Sequence, residues 1–283
     1  MELLDKSFRA YRKILYKHSN SSPFLSGDLF ASKADISVFA HPNSSANPSK
    51  RVVSNAEVIY CRSDRLAEFF SDYAGSINAR VLLFGNSAED FYSFEYSLPN
   101  SVKMVFLQNM GFTDRRFSCL PVGIENKRHA KNGLPSLFAP KYASLEKKNE
   151  ILVGPLGQTH SEREELENLK YQDGPWSYLE SRMSPKAFAS ISAKFKFIAA
   201  PRGRGIDTHR FWESIYRGSI PIVKKSEWSE NLSYLNIPFI QTDAWDSELL
   251  RNIIDSSAQF APNPKLIADI WWPKWESRLR TYL

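Results

Sequence analysis

From residue 55 onward, short apolar runs alternate with stretches whose apolar residues recur at helical spacing. "AEVIYC" (56–61), "ARVLLFG" (79–85), "VKMVFLQN" (102–109) and "FSCLPVGI" (117–124) predict strands, and "SDRLAEFFSDYA" (63–74) predicts a helix with Ser63 as its cap. Near-continuous apolar strands separated by helices suit a parallel sheet, whose strands are covered on both faces. Residues 125–149, "ENKRHAKNGLPSLFAPKYASLEKKN", are charged and hold a glycine and two prolines, which predicts a connection between domains. A second block begins with "EILVGPLGQTHSEREELENL" (150–169): strand, glycine-containing turn, then a helix opened by Thr159 or Ser161. "SPKAFASISA" (184–193) predicts a helix and "KFKFIAA" (194–200) a strand. "DTHRFWESIYRG" (207–218) predicts a helix that ends on Gly218 as a left-handed cap, with strands at "SIPIV" (219–223) and "IPFIQT" (237–242). The tail, "PKLIADIWWPKWESRLRTYL", predicts helix broken at Pro273. The fold class expected is α/β, with two Rossmann-like lobes and a cleft between them: 1–145, 146–265, and a helical tail over 266–283.

Ahead of that pattern, Leu4, Phe8, Tyr11 and Leu15 fall on one helical face with Lys6, Arg9, Arg12, Lys13 and Lys17 mostly elsewhere around the wheel. Such a helix can lie on a membrane surface or pack on its own domain. Residues 42–51, "PNSSANPSKR", predict a surface loop. The 283-residue length suits two modest domains, and 42% hydrophobic content with 13% aromatics excludes a disordered or fibrous chain. Net charge is +6, concentrated early: 18 Lys/Arg against 13 Asp/Glu over 1–145, and 19 against 18 over 146–283. That bias suits an anionic partner without choosing among glycolipid, membrane surface and nucleic acid. Cys61 and Cys119 are too few for a disulfide framework or a four-ligand zinc site. No stretch has signal-peptide or membrane-span character, so the expected location is cytoplasmic or peripheral at the inner face of the membrane.

The candidate chemistry lies in "KFIAAPRGRGIDTHRFWESIYRGSIPIV" (196–223). A buried strand delivers the chain to Arg202, Gly203, Arg204 and Gly205, where glycines allow close backbone approach to a ligand. Asp207 can cap the next helix, whose N-terminus offers unpaired N–H groups and partial positive charge to an anion. Arg202, Arg204 and Arg210 add forked donors suited to a diphosphate, and Glu213 can accept from the two hydroxyls of a ribose. The plainer alternative remains open: Arg210–Glu213 and Glu213–Arg217 have the spacing of surface ion pairs, and Gly-Arg-Gly can be a solvated turn.

The run "PRGRGIDTHRFWESIYRGSIPIV" closely resembles the donor-binding motif of exostosin-like glycosyltransferases, in which a Pro-Arg-Gly loop leads to an Arg-Phe-x-Glu helix and then Gly-x-Ile-Pro-Val. "LVGPLGQTHSER" resembles the first strand and turn of the same lobe, and "LLFGNSAED" and "CLPVGIEN" resemble N-terminal segments of bacterial members. The resemblance covers 196–223 most fully, 150–163 and 80–126 less so, and nothing before residue 55. It implies the GT-B fold of two Rossmann-like lobes, the N-terminal one for the acceptor and the C-terminal one for the donor. It further implies a nucleotide-diphosphate sugar as donor, held by Glu213 at the ribose and by Arg204, Arg210 and Arg202 at the diphosphate. Gly157, Thr159, Arg163 and His209 would complete the donor site. A glycan or glycolipid acceptor in bacterial surface polysaccharide or lipopolysaccharide synthesis follows from the same resemblance, as does inversion at the anomeric carbon.

Transfer requires stabilisation of the leaving diphosphate and deprotonation of the acceptor. No Asp-x-Asp motif is present, Asp243 and Asp246 being one residue too far apart, so a metal-independent enzyme without cofactor is expected, UDP-sugars being the favoured donors. Glu89 and Asp90, after a predicted strand, are the first candidates for the catalytic base, though both also suit a helix start. His41, Asp114 and Glu125 are further candidates, and His160 and His209 lie in the donor half. Rival readings are a nucleic-acid binder using Arg-Gly-Arg-Gly and a nucleotide-binding protein without catalysis. The near-neutral second half and the lack of a nucleic-acid module count against the first. No Gly-x-Gly-x-x-Gly opens either block and no Walker lysine motif occurs, which disfavours a dinucleotide oxidoreductase and a P-loop ATPase.

Overall fold

The computed structural model describes residues 21–39, 48–129, 131–138, 140–257 and 262–283. The basic amphipathic segment near the start, His41 and most of the 42–51 loop lie outside the described residues. The chain builds two parallel five-stranded sheets. The first holds β1 (Ile36–Val38), β2 (Val58–Arg62), β3 (Val81–Gly85), β4 (Met104–Leu107) and β5 (Phe117–Cys119), in simple sequential order. The second holds β6 (Lys148–Val153), β7 (Trp176–Tyr178), β8 (Phe195–Ala199), β9 (Ile220–Lys224) and β10 (Ile240–Thr242), in the order β10-β9-β8-β6-β7. Every residue of β3 and of β8 is buried, which explains the unbroken apolar run of β3; β8 carries Lys196 among its apolar residues, with its Nζ donating to Ser257 O at 2.7 Å.

Predicted strands match eight of these ten; β1 and β7 are additions. Both are three-residue edge strands of half-buried character, too short for periodicity to reveal. Helix α1 (Gly27–Lys33) is capped by Ser26, and α2 (Leu66–Tyr73) follows a 3-10 turn. Ser63 lies inside that turn, buried, and does not act as the expected cap. In the second half, α3 (Glu162–Glu167) follows Ser161, α4 (Pro185–Ser192) is capped by the Ser184 hydroxyl, and α5 (His209–Tyr216) precedes β9. Gly218 adopts φ +73° just past α5, so the left-handed stop is as expected; a Cβ there would press on Ala143 at 3.3 Å.

The stretch 125–149 is more than a connection, since Leu137, Phe138 and Tyr142 from it are buried in the main core. The terminal helix α6 (Trp272–Arg280) has Pro273 in its first turn, where a missing N–H costs nothing, so Pro273 starts the helix rather than breaking it. Trp275 is fully buried and packs edge-on against Phe30 of α1 at 5.4 Å and Phe106 of β4 at 5.7 Å. The end of the chain therefore packs on the first sheet. Among the described residues, no helix is long and apolar enough to cross a membrane.

Candidate functional site

In the second sheet, β6 has β7 on one side and β8 on the other, so the strand order reverses between β6 and β8. Crevices form at such a reversal, beyond the carboxyl ends of the strands, because the two following loops diverge. Here the loops are 154–160 and 200–208. Opposite them stand the segments after β3, β4 and β5 of the first sheet. A cavity of about 810 Å³ lies between, walled by Ser87, Gln108, Val122 and Glu125 on one side and by Gly157, Arg163, Arg204 and Glu213 on the other.

The 202–208 loop is fixed from the first half of the chain. Asp90 pairs with the Arg202 guanidinium and accepts from Ile206 N at 2.8 Å. Asn109 Oδ1 accepts from Asp207 N at 2.9 Å, and its Cγ stands where a Cβ on Gly205 would meet it at 3.0 Å, so this contact requires glycine. Asp207 is buried and accepts from Val122 N at 2.8 Å and Trp212 Nε1 at 2.7 Å. It thus ties loop to helix and to the opposite wall, and does not cap α5 as expected. The cap position belongs to Thr208, whose hydroxyl makes no capping bond. Burial pushes the Asp207 carboxyl up to about 7, against the pull of its two N–H donors.

The start of α5 therefore faces the cavity uncapped. Thr208, His209, Arg210 and Glu213 all line it. His209 Nδ1 lies 2.9 Å from Gly123 O, and Arg210 Nη2 donates to Pro155 O at 2.8 Å. Arg163 from α3 donates through Nε to Arg202 O at 2.8 Å, and a Cβ on Gly203 would meet its Nη2 at 3.2 Å. Burial lowers the Arg210 guanidinium to about 10, and the Arg163 charge adds to this; Arg163 is itself lowered by burial. Both stay protonated at neutral pH, so the wall holds cations that want an anion. Arg182, after β7, joins them: a Cβ on Gly157 would meet Arg182 Nη2 at 3.2 Å and Arg163 Nη1 at 3.8 Å.

Glu213 is 5% exposed and its Oε2 stands 3.5 Å from Arg217 Nη2. Oε1 is buried with no hydrogen-bond partner among the described residues, and so is Thr208 Oγ1. Burial raises the Glu213 carboxyl, with Glu125 adding to the rise and Arg217, His209 and Arg210 opposing it. Folded proteins rarely leave such oxygens bare, and two beside one cavity are what an absent hydrogen-bonding ligand would satisfy. Of the residues singled out in the sequence, Gly157, Thr159, Arg163, Arg204, Asp207, His209, Arg210 and Glu213 line this cavity, and so does Glu125.

Arg202, Asp90, Glu89, Asp114 and His160 do not. Arg202 lines a separate cavity of about 260 Å³ and is engaged by Asp90; Asp90 has one oxygen on Arg202 and the other on Ile206 N. Asp90 is thus a clasp for the loop. Glu89 is exposed, its carboxyl raised by partial burial and by Asp64. Asp114 is exposed and accepts from Arg116 N, while His160 Nδ1 accepts from Glu162 N beside the smaller cavity. Sequence reasoning missed Arg182, Lys131 and Asn132, which line the main cavity. They sit in irregular loops with no motif around them.

No family model matches the chain. No curated protein matches it either. Among solved structures, the chain is similar to a sucrose-phosphate synthase from Thermosynechococcus elongatus, with 15% identity and a TM-score of 0.28 over 82% of this chain. The chain spans 56% of the length of that protein.

Proposed function

We propose that the protein is a glycosyltransferase of the GT-B type, its two sheets forming two lobes with the cavity as the cleft. The donor is a nucleoside-diphosphate sugar, UDP-sugars first. The observation that supports this reading best is the buried, unpartnered Glu213 Oε1 beside Arg163, Arg204 and Arg210 at the uncapped start of α5. A ribose hydroxyl donates to Glu213. The diphosphate meets the guanidinium groups, the Thr208 hydroxyl and the open N–H groups of the helix start.

As the bond between the anomeric carbon and the diphosphate oxygen breaks, negative charge grows on the leaving group. Fixed guanidiniums stabilise that charge without having to reorganise, which makes transfer metal-independent in this account. The acceptor hydroxyl approaches from the first-sheet wall, opposite the leaving group, giving inversion. A glycan or glycolipid acceptor in bacterial surface polysaccharide or lipopolysaccharide synthesis, on the cytoplasmic side of the membrane, is the setting we propose. The exostosin-like resemblance of 196–223 favours it. A panel of sugar nucleotides, followed by release of nucleoside diphosphate with and without chelator, tests the reading. Chelator-resistant release from one donor class is expected, and no release from any donor would overturn it.

A further inference from the structure

We infer that Glu125 is the catalytic base that takes the acceptor proton, an assignment that rests on the glycosyltransferase reading above. An inverting transfer needs a proton acceptor on the wall facing the leaving group, within hydrogen-bond reach of the incoming hydroxyl. Among the described side chains that the first half of the chain contributes to the cavity, Glu125 is the one carboxylate. Its neighbours there are Ser87, Gln108, Val122, Lys131 and Asn132, none of which is a base in its ordinary neutral-pH form.

Glu125 is held for this task. It follows β5 by six residues, at the carboxyl end of the sheet, and its Oε2 accepts from Asn132 N at 2.8 Å. The other oxygen makes no hydrogen bond to any described residue, so one lone pair is oriented and free. The carboxylates across the cavity are otherwise engaged: Asp207 has both oxygens on N–H donors, and Glu213 stands against Arg217 on the donor side. His209 is the remaining competitor, with Nδ1 beside Gly123 O. It belongs to the same helix start as Arg210, on the leaving-group side.

The step balances as follows. The acceptor O–H bond breaks and its proton passes to Glu125 Oε1. The freed oxygen pair forms the new bond to the anomeric carbon. The pair of the old carbon–oxygen bond leaves with the nucleoside diphosphate, whose charge the arginines meet. The charged and titratable groups that share the cavity with Glu125 are Lys131 on its own segment and Arg163, Arg182, Arg204, Asp207, His209, Arg210 and Glu213 across it.

Water can stand in for the unidentified acceptor. In the full chain, hydrolysis of the UDP-sugar found by the donor panel is followed as UDP release from pH 4 to 9, for wild type, Glu125→Gln, Glu125→Ala and His209→Asn. UDP affinity and melting temperature are measured on each. Glu125→Gln keeps an acceptor for Asn132 N, so it is expected to fold and to bind UDP within about threefold of wild type. Its hydrolysis is expected to fall by about 10²–10⁴-fold, with loss of the rising acid limb of the pH profile. Added formate is expected to restore part of the Glu125→Ala rate, which a packing defect would not allow. Glu125→Gln turning over within threefold of wild type, or loss of the acid limb in His209→Asn alone, would overturn the assignment while leaving the donor site standing. Wild type that neither binds UDP nor releases it from any donor would overturn the glycosyltransferase reading and this inference with it.

Discussion

Replacing Glu213 by Gln removes the charge from the most buried carboxylate on the donor wall while keeping its volume. In wild type, Oε1 has no hydrogen-bond partner among the described residues, so its capacity is available to a ligand hydroxyl. A hydrogen bond to a charged group is worth about 1.5–3 kcal/mol, which converts to roughly 10–150-fold in affinity. Calorimetric titration with UDP should therefore show Glu213→Gln weaker by that factor. The variant must also be shown to fold, because Arg217 is 3% exposed and loses its anionic partner. Arg217 keeps the Leu137 carbonyl at 3.4 Å and the Phe138 ring at 4.7 Å, and the loss of its buried anionic partner is expected to cost about 3 kcal/mol. Equal UDP affinity in a folded Glu213→Gln would refute a charge-assisted ribose contact, since no other described residue uses that oxygen.

Other consequences follow from the same geometry. Gly203→Ala puts a Cβ 3.2 Å from Arg163 Nη2 and 3.7 Å from Thr159 Oγ1, so UDP binding should weaken several-fold with little change in melting temperature; unchanged binding would show that Arg163 does not touch the ligand. Asp90→Ala strands Arg202 and Ile206 N together, which should cost about 3 kcal/mol in urea unfolding and loosen UDP binding; a loss of activity without either effect would point back to a chemical role. The Asp207 carboxyl, raised to about 7, keeps in the folded state a proton that the unfolded chain has released above its ordinary 3.8. Stability therefore falls as pH climbs from about 4 to 7, by at most about 4 kcal/mol, and urea titrations across that range should show Asp207→Asn lacking this slope. Trp275→Ala should cost about 3–5 kcal/mol by emptying the joint between α6 and the first sheet.

The strands with four or more apolar residues were legible because burial on both faces leaves a hydrophobic run, unbroken in "VLLFG" and interrupted by Lys196 in "FKFIAA". β1 and β7 were not, because each is three residues long with a serine at its centre, Ser37 and Ser177, which breaks the apolar run. Within the site, the second-sheet wall of the cavity was legible since its residues crowd one contiguous stretch around α5. Arg182 and Lys131 were hidden by distance along the chain. The unforeseen contacts of Asp90 and Asp207 share one cause. An acid near a strand end or helix start has the same sequence pattern whether it caps, catalyses or clasps, and only the partner decides. Here the partners are Arg202, Ile206 N, Val122 N and Trp212, three of them more than 80 residues away from the acid they meet.

The central claim is that guanidinium groups and a helix start in one cavity recognise a diphosphate while Glu213 recognises the sugar bound to the base. Equilibrium titration of the full chain with uridine, UMP and UDP in the presence of EDTA tests it directly. The account predicts affinity rising by at least about tenfold from UMP to UDP, because the β-phosphate adds a charge-assisted contact. No binding of UDP, or equal affinity for all three, would contradict it.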